Sequence, residues 1–383
     1  MELTEEQRAL RDAVRALLAR HLAGAGAAPA SPPGSGPGSP PGYDRTLWKR
    51  LCGEIGVAGL AVPERYGGAG AGPLETHIVL EELGRTLAPS PMLGSVLAAQ
   101  ALLASGDTAA CQRLLPAIAD GTAIAALAWT GPAGHWDPGE VACHAAAITD
   151  PPSGTAARTE TGRWVLNGEA HYVLDGDVAD VLLVAARTRD GIGLFDVDPR
   201  HNGVTREAVT TMDSTRRLAI VRLADAAGQR TGDCAALAQA RDIACIALSA
   251  EQVGAAQQAL QLTVAYTKVR VQFGRIIGSF QALQHRMADL HVLVESARSL
   301  SYAAASAAAE GAPDLGLRAA AAKVYCSEVL ARVAAEMIQL HGAIGITWEH
   351  DAHRYLKRAH GAAQLFGQPS EHAARIAAAL IDR

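Results

Sequence analysis

The sequence has no excess of positive charge: 34 Lys+Arg stand against 39 Asp+Glu, a net charge of −5, and there is no long basic run. That leaves no electrostatic footprint for a nucleic-acid backbone or an anionic lipid surface, so neither nucleic acid nor membrane is expected as a partner. Cysteine is sparse as well. The six (Cys52, Cys111, Cys143, Cys234, Cys245, Cys326) form no CxxC pair. This reads against a disulfide framework or a zinc site and for reduced thiols in a cytoplasmic protein, two or three of them in the core. No uninterrupted run of about 18 apolar residues occurs, and the opening MELTEEQRALRDAVRALL lacks the basic start and unbroken apolar stretch of a leader. The chain is read as neither exported nor membrane-spanning. What it does have is length and apolar content: 383 residues, 49% hydrophobic, suffice for two or three domains that each bury a core without staples.

Thr4 followed by Gln7 is a capping-box pattern, and Leu3, Leu10, Val14, Leu17 and Leu18 recur at helical spacing, which predicts a helix over 4–21. GAGAAPASPPGSGPGSPPG, residues 24–42, is too rich in proline and glycine for either regular structure and predicts a flexible loop. Helical signal returns over 48–60, breaks at VPERYGGAGAG (62–72), and resumes over 74–87 and 92–119. Near Gly121 the period changes. Short runs rich in Val, Ile, Leu and Ala predict strands at 122–129, 142–149, 163–166, 178–186, 191–197 and 218–223. Long Ala- and Leu-rich segments at 234–268, 281–310, 316–344 and 350–382 then predict an up-and-down four-helix bundle. The fold class is α+β, with an N-terminal α-helical domain (1–120), a middle β domain (121–232) and a C-terminal bundle (233–383).

Two bundle segments are informative: KVRVQFGRIIGSFQALQHRMAD (Lys268–Asp289), and QLHGAIG (Gln339–Gly345) with HDAHRYLKRA shortly after it. Together with VPERYGG and the α–β–α order, they make the chain resemble the acyl-CoA dehydrogenase family over nearly its whole length. RxxFG or QxxGxxG alone is a weak signal; both at this separation, in this order of elements, are specific. The resemblance implies the fold named above, with a β-barrel or sandwich in the middle, an acyl-CoA substrate and FAD as cofactor. It also implies the chemistry. A carboxylate removes an α-hydrogen as a proton, the β-hydrogen leaves as hydride to the flavin, and the thioester carbonyl is polarised. An electron-transferring flavoprotein is the family's usual electron acceptor.

In that family the Arg of RxxFG and the QxxGxxG glycines hold the ADP half of a neighbouring subunit's FAD. The corresponding positions are Arg270, Phe273, Gly274 and Gln281, then Gln339, Gly342 and Gly345. A guanidinium forks onto pyrophosphate oxygens, and glycines let backbone amides approach a phosphate. Singly, Arg270 reads as a helix-end charge and the glycines as helix terminators; as a set they read as cofactor contacts. The residues the family uses in its own site are missing. Its catalytic Glu falls on Ala359, or on His360 with a one-residue slip, and the alternative location on the first bundle helix falls on Ala244. Asp242 and Glu251 are close in sequence, but Glu251 lies seven residues, roughly 10 Å, along the helix from Ala244. The strand that meets the flavin ring has become Trp129 to Asp137, without the acidic residue after Thr130. Leu174, in YVLDG, replaces a hydroxyl near flavin N5. Trp129, Thr130 and Tyr172 read either as ring contacts or as ordinary core and edge residues.

Residues lent to a neighbour are kept while those used at home are lost. This resembles the helper chain of an α2β2 heterotetramer beside a second, catalytic acyl-CoA dehydrogenase subunit, as in bacterial enzymes acting on steroid side-chain thioesters. Those share the HDAHRYLKRA and VLDGDVADVLLVAART segments. Three alternatives stay open: a homomeric acyl-CoA or acyl-carrier-protein dehydrogenase with a relocated base (Glu251, Asp242 or His360), a flavin-dependent monooxygenase of the same fold, and a non-enzymatic assembly protein.

Overall fold

The computed structural model describes residues 3–24, 43–149 and 160–381. The Pro/Gly-rich loop expected over 24–42 falls outside them, except for its first residue. Helix α1 (Glu5–Gly24) starts with the predicted capping box: Gln7 N donates to Thr4 Oγ1 at 3.2 Å, and Thr4 N donates back to Gln7 Oε1 at 3.1 Å. Its Val14, Leu17 and Leu18 are buried. The helix expected over 48–60 begins earlier and stops sooner. Helix α2 (Arg45–Arg50) is started by Asp44, whose carboxylate accepts from Leu47 N at 2.9 Å, and it runs through one π turn to Gly56 at φ +76°. Helix α3 (Pro73–Arg85) follows. The continuous helical signal over 92–119 is really two helices, α4 (Met92–Ser105) and α5 (Thr108–Ala119). Gly106 at φ +71° ends the first, and Asp107 caps the second.

The middle of the chain is a barrel. Strands β1 (Ala125–Ala128), β2 (Cys143–Thr149), β3 (Glu160–Leu174), β4 (Val181–Thr188), β5 (Gly191–Val197), β6 (Val204–Val209) and β7 (Leu218–Asp233) pair in the order β1-β4-β2-β3-β7-β5. Strand β5 returns to β4, which closes the ring, while β6 adds to β7. The closed interior holds Trp164, Leu166, Leu182, Val184, Phe195 and Val221. Three strand expectations need correction. β3 and β7 run far beyond 163–166 and 218–223, because Gly168 at φ +133° sits at a register shift that keeps the ladder going. β6 was missed because VTREAV is mostly exposed and shows no apolar alternation; it exists because β7 offers it an edge.

Asp233 caps α6 (Cys234–Thr267), accepting from Ala235 N and Ala236 N. A small hairpin, β8 (Val271–Gln272) and β9 (Arg275–Ile276), leads to α7 (Gln281–Glu310) and α8 (Leu315–His341). The fourth bundle helix expected over 350–382 is broken into α9 (Ala352–Gln364) and α10 (Pro369–Ile381). Between them Phe366 and Gly367 take φ +62° and +105°. Pro369 has no N–H to continue the helix and disfavours helical backbone before it. The fully buried Lys323 of α8 holds this break, donating from Nζ to Ala362 O (3.1 Å) and Ala363 O (2.9 Å) at the end of α9. Helix α8 is long and apolar enough by length and composition to cross a membrane, and here it packs against α6, α7, α9 and α10.

Helices α3 and α6 cross at glycine contacts. A Cβ on Gly254 would lie 1.9 Å from Glu81 O, and one on Gly84 would lie 2.2 Å from Glu251 O. One core joins the N-terminal helices to α6 and the barrel's flank, a second fills the bundle, and the third is the barrel interior. Four cysteines are buried rather than two or three, and burial pushes the thiols of Cys143, Cys245 and Cys326 up to about 12.

Candidate functional site

The two sequence motifs meet at one end of the bundle. Arg270 N donates to Tyr266 O at 2.9 Å where α6 ends, and the chain turns back through Phe273 and Gly274, both in the left-handed region. Tyr266 joins this hairpin to the end of α8: its ring stacks on His341 with centroids 4.3 Å apart, and its hydroxyl donates to His341 O at 3.4 Å. His350 also packs on His341 at 4.3 Å and lies edge-on to Tyr266 at 6.4 Å. Arg270, Phe273, Gly274, Gln281, Gln339 and Gly342 are all exposed. Arg270 has no ion pair among the described residues. Phe273 is 91% exposed, and Val269, Val271 and Ile276 of the hairpin and Ile346 and Trp348 after α8 are exposed apolar side chains as well, an apolar rim to this end of the bundle. The two glycines after α8 differ. Gly342 has φ +65° and open space where a Cβ would stand, whereas Gly345 is buried, its Cβ position 3.1 Å from His341 Cβ and 3.2 Å from Ile338 O. Gly345 is thus required by packing against α8, not by exposure to an approaching group.

A second region lies between the barrel, α6 and the α9–α10 break. Trp129 is fully buried, edge-on to Trp136 (5.1 Å) and parallel to Phe366 (6.1 Å), with Trp136 and Phe366 5.3 Å apart. Tyr172 lies at the margin, its hydroxyl donating to Pro132 O at 3.2 Å. Trp129 Nε1 and Thr130 Oγ1 are buried without a hydrogen-bond partner among the described residues. Beside this aromatic cluster is a buried ion network. Arg358 of α9 donates from Nε to Asp213 Oδ2 (2.7 Å), from Nη2 to Thr215 Oγ1 (2.6 Å) and O (3.1 Å), and from Nη1 to Glu251 Oε2 (3.4 Å). Arg216 also donates to Glu251 Oε2. Burial alone would raise the Asp213 carboxyl; the guanidiniums of Arg358 and Arg216 and the bonds from Thr215 outweigh it and hold it below its ordinary value.

The network decides what the carboxylates near the missing base can do. Glu251 is engaged by two guanidiniums. Asp242 is held by Arg241 (3.3 Å) and Arg375 (2.9 Å), and His360 faces solvent. Both carboxylates are thus ion-pair partners of arginines, and both bonds to Glu251 fall on one oxygen, Oε2. Ala359 and Ala244 are buried and bring no titratable group. One carboxylate escaped the sequence reading. Asp175, directly after Leu174, takes φ +53° and is 5% exposed. No hydrogen bond reaches its carboxylate among the described residues. Burial, then Asp177 and Glu251, push it up to about 7, against the pull of Arg216 and Arg217. The only sequence signal was its place in a turn-like VLDG, where Asp tolerates left-handed backbone.

Comparison with known proteins agrees with this architecture. Residues 4–122 match the family model for the acyl-CoA dehydrogenase N-terminal domain, and residues 235–381 match that for the C-terminal domain. The chain is 41% identical over 372 residues to acyl-CoA dehydrogenase IpdE2 of Mycobacterium tuberculosis, covering 97% of this chain and 96% of that one. Among solved structures, a variant of the Tcur3481-Tcur3483 steroid ACAD superposes with a TM-score of 0.86 at 32% identity, covering 99% of this chain and 98% of that one. The ChsE4-ChsE5 complex from Mycobacterium tuberculosis does so at 0.84 and 29% identity, covering 100% and 99%. The chain belongs to the acyl-CoA dehydrogenase family. The family consists of oxidoreductases acting on CH–CH groups of acyl-CoA, with FAD as cofactor.

Proposed function

We propose that this chain is the helper subunit of an α2β2 acyl-CoA dehydrogenase, lending its hairpin and α8 loop to the FAD of a sister subunit that carries the catalytic carboxylate. The observation that carries this is an asymmetry between the two regions. The end bearing Arg270, Phe273, Gly274, Gln281, Gln339 and Gly342 is exposed and apolar-rimmed, and Arg270 has no ion pair among the described residues. The chain's own cleft is filled by Trp129, Trp136 and Phe366 and by the Arg358 network, and neither Ala359 nor Ala244 offers a base. The lent end fits the ADP half of FAD: Arg270 supplies a fork for pyrophosphate oxygens, and Gly274 and Gly342 leave open space beside backbone amides. Phe273 and its apolar rim supply surface to bury against the sister chain. Bound in the sister subunit, FAD supplies the electron sink for oxidation of the acyl-CoA. A steroid side-chain thioester is the substrate class, supported by the likeness to the steroid ACAD and ChsE4-ChsE5 structures. An electron-transferring flavoprotein would serve as the electron acceptor, and the assembly would work in the cytoplasm.

The test is flavin absorbance per chain, measured on the protein purified alone and co-expressed with the acyl-CoA dehydrogenase encoded beside it. The helper reading expects about one FAD per two chains, and only with the partner. A second reading, a homomeric dehydrogenase with its base at Asp175, is favoured by that unpaired buried carboxylate and by the partnerless Trp129 Nε1 and Thr130 Oγ1. One FAD per chain in the protein alone, with turnover abolished by Asp175→Asn, would replace the helper assignment.

A further inference from the structure

A cavity of about 610 Å³ belongs to neither region above. It opens between α1, α3, α6 and α7, and no residue of the barrel, the hairpin or the α8 loop lines it. Five guanidiniums surround it: Arg8, Arg11 and Arg15 from α1, Arg85 from α3 and Arg298 from α7. The α1 trio is spaced three and four residues apart, so all three project from one helix face. Three carboxylates also line the cavity, leaving five positive charges against three negative.

The carboxylates are already engaged. Arg15 takes both oxygens of Glu82, at 2.6 and 2.9 Å. Glu81 accepts from Arg298 and, at 2.9 Å, from the Tyr302 hydroxyl, and Glu295 lies 3.5 Å from Arg298. What remains is positive. Arg8 has no carboxylate partner among the described residues, and Arg11 reaches only the exposed Asp12 beside it. Arg85 bonds the neutral Gln261 at 2.9 Å and stands 4.0 Å from Glu82. The crowding carries an electrostatic cost. Burial and then the neighbouring Arg15 depress Arg85, and burial followed by Arg15 and Arg11 outweighs Tyr302 in depressing Arg298. An anion between these groups would cancel that repulsion and would meet forked donors suited to oxyanions.

We infer that this arginine-lined cavity is a binding site for a small, multiply charged oxyanion, separate from the FAD and acyl-CoA machinery. Its ligand carries closely spaced phosphoryl or carboxylate groups, since one singly charged oxygen pair could not engage guanidiniums on three helices at once. Gln257, Gln261 and Ser299 on the wall add neutral hydrogen-bonding groups for the rest of the molecule.

The experiment is titration calorimetry of the full-length chain with pyrophosphate and, separately, citrate, each at constant ionic strength held with chloride. The site predicts saturable binding of one anion per chain, weakened at least about tenfold in the double variant Arg8→Gln/Arg11→Gln. Arg8 is exposed and Arg11, half-buried, pairs only with the exposed Asp12, so the unliganded variant should melt like the wild type, and that melt is the control for folding. Tighter binding of pyrophosphate assigns a phosphoryl ligand, and tighter binding of citrate a polycarboxylate. No saturable heat with either probe, or affinity unchanged in the double variant, would overturn the site. FAD occupancy does not enter the readout, so failure here leaves the helper-subunit question untouched.

Discussion

Arg358 sits 4% exposed and is hydrogen-bonded to a carboxylate 145 residues away, Asp213, and through Glu251 it shares a partner with Arg216. Arg358→Ala would leave Asp213 without its nearest counter-charge, and the expected cost is about 3–5 kcal/mol of unfolding free energy. Urea denaturation measures it; a loss below about 1 kcal/mol would mean the network contributes little. Asp213 and Asp175 have opposite pH signatures. The Asp213 carboxyl is held below its ordinary value, so its stabilisation is present at neutral pH and is lost as pH falls through its folded value. Asp175 is pushed up to about 7, so the fold holds a proton there that the unfolded chain has released. Stability therefore declines as pH rises from about 4 to about 7. Asp175→Asn should remove that slope, stabilising the chain at pH 8 by on the order of 1–3 kcal/mol and hardly at all near pH 4. Denaturation at both pH values decides it, and an equal effect at the two would contradict the burial argument.

Among elements, the α3–α6 crossing and the α8 loop give opposite expectations for the same substitution. At Gly254 a methyl group would meet Glu81 O at 1.9 Å, so Gly254→Ala must push two packed helices apart and cost about 1–3 kcal/mol or more. At Gly342 nothing lies within reach, and Gly342→Ala pays only for a backbone at φ +65° and ψ −144° that residues with a side chain rarely adopt, roughly 1–2 kcal/mol. Thermal melts should rank Gly254→Ala as the more destabilising, while only Gly342→Ala should lower FAD content in the co-expressed complex. Much at this scale was legible in the sequence. The α1 capping box, β5 and most helix cores appear where local spacing put them. The misses differ in cause: β6 depends on a neighbouring strand's edge and the extensions of β3 and β7 on the register shift at Gly168, whereas the α9–α10 break carried local signals in Gly367 and Pro369 and is held by a lysine from another helix.

For the whole molecule, an apolar rim at one end of the bundle calls for a protein surface to cover it. Phe273→Asp should weaken co-purification with the sister subunit, read as a smaller particle in light scattering, while the isolated chain melts unchanged because Phe273 is 91% exposed. Undiminished assembly would place the interface elsewhere. The sequence by itself determined the α–β–α order, the helical bundle and the family, because caps, periodic apolar faces and motif spacings act between residues a few positions apart. It left Glu251 and Asp242 as candidate bases and passed over Asp175 and the five arginines. Only the tertiary structure decided those, since whether a charge is a base, an ion-pair partner or part of an anion site depends on desolvation and on partners from distant segments, and both exist only once the chain has folded.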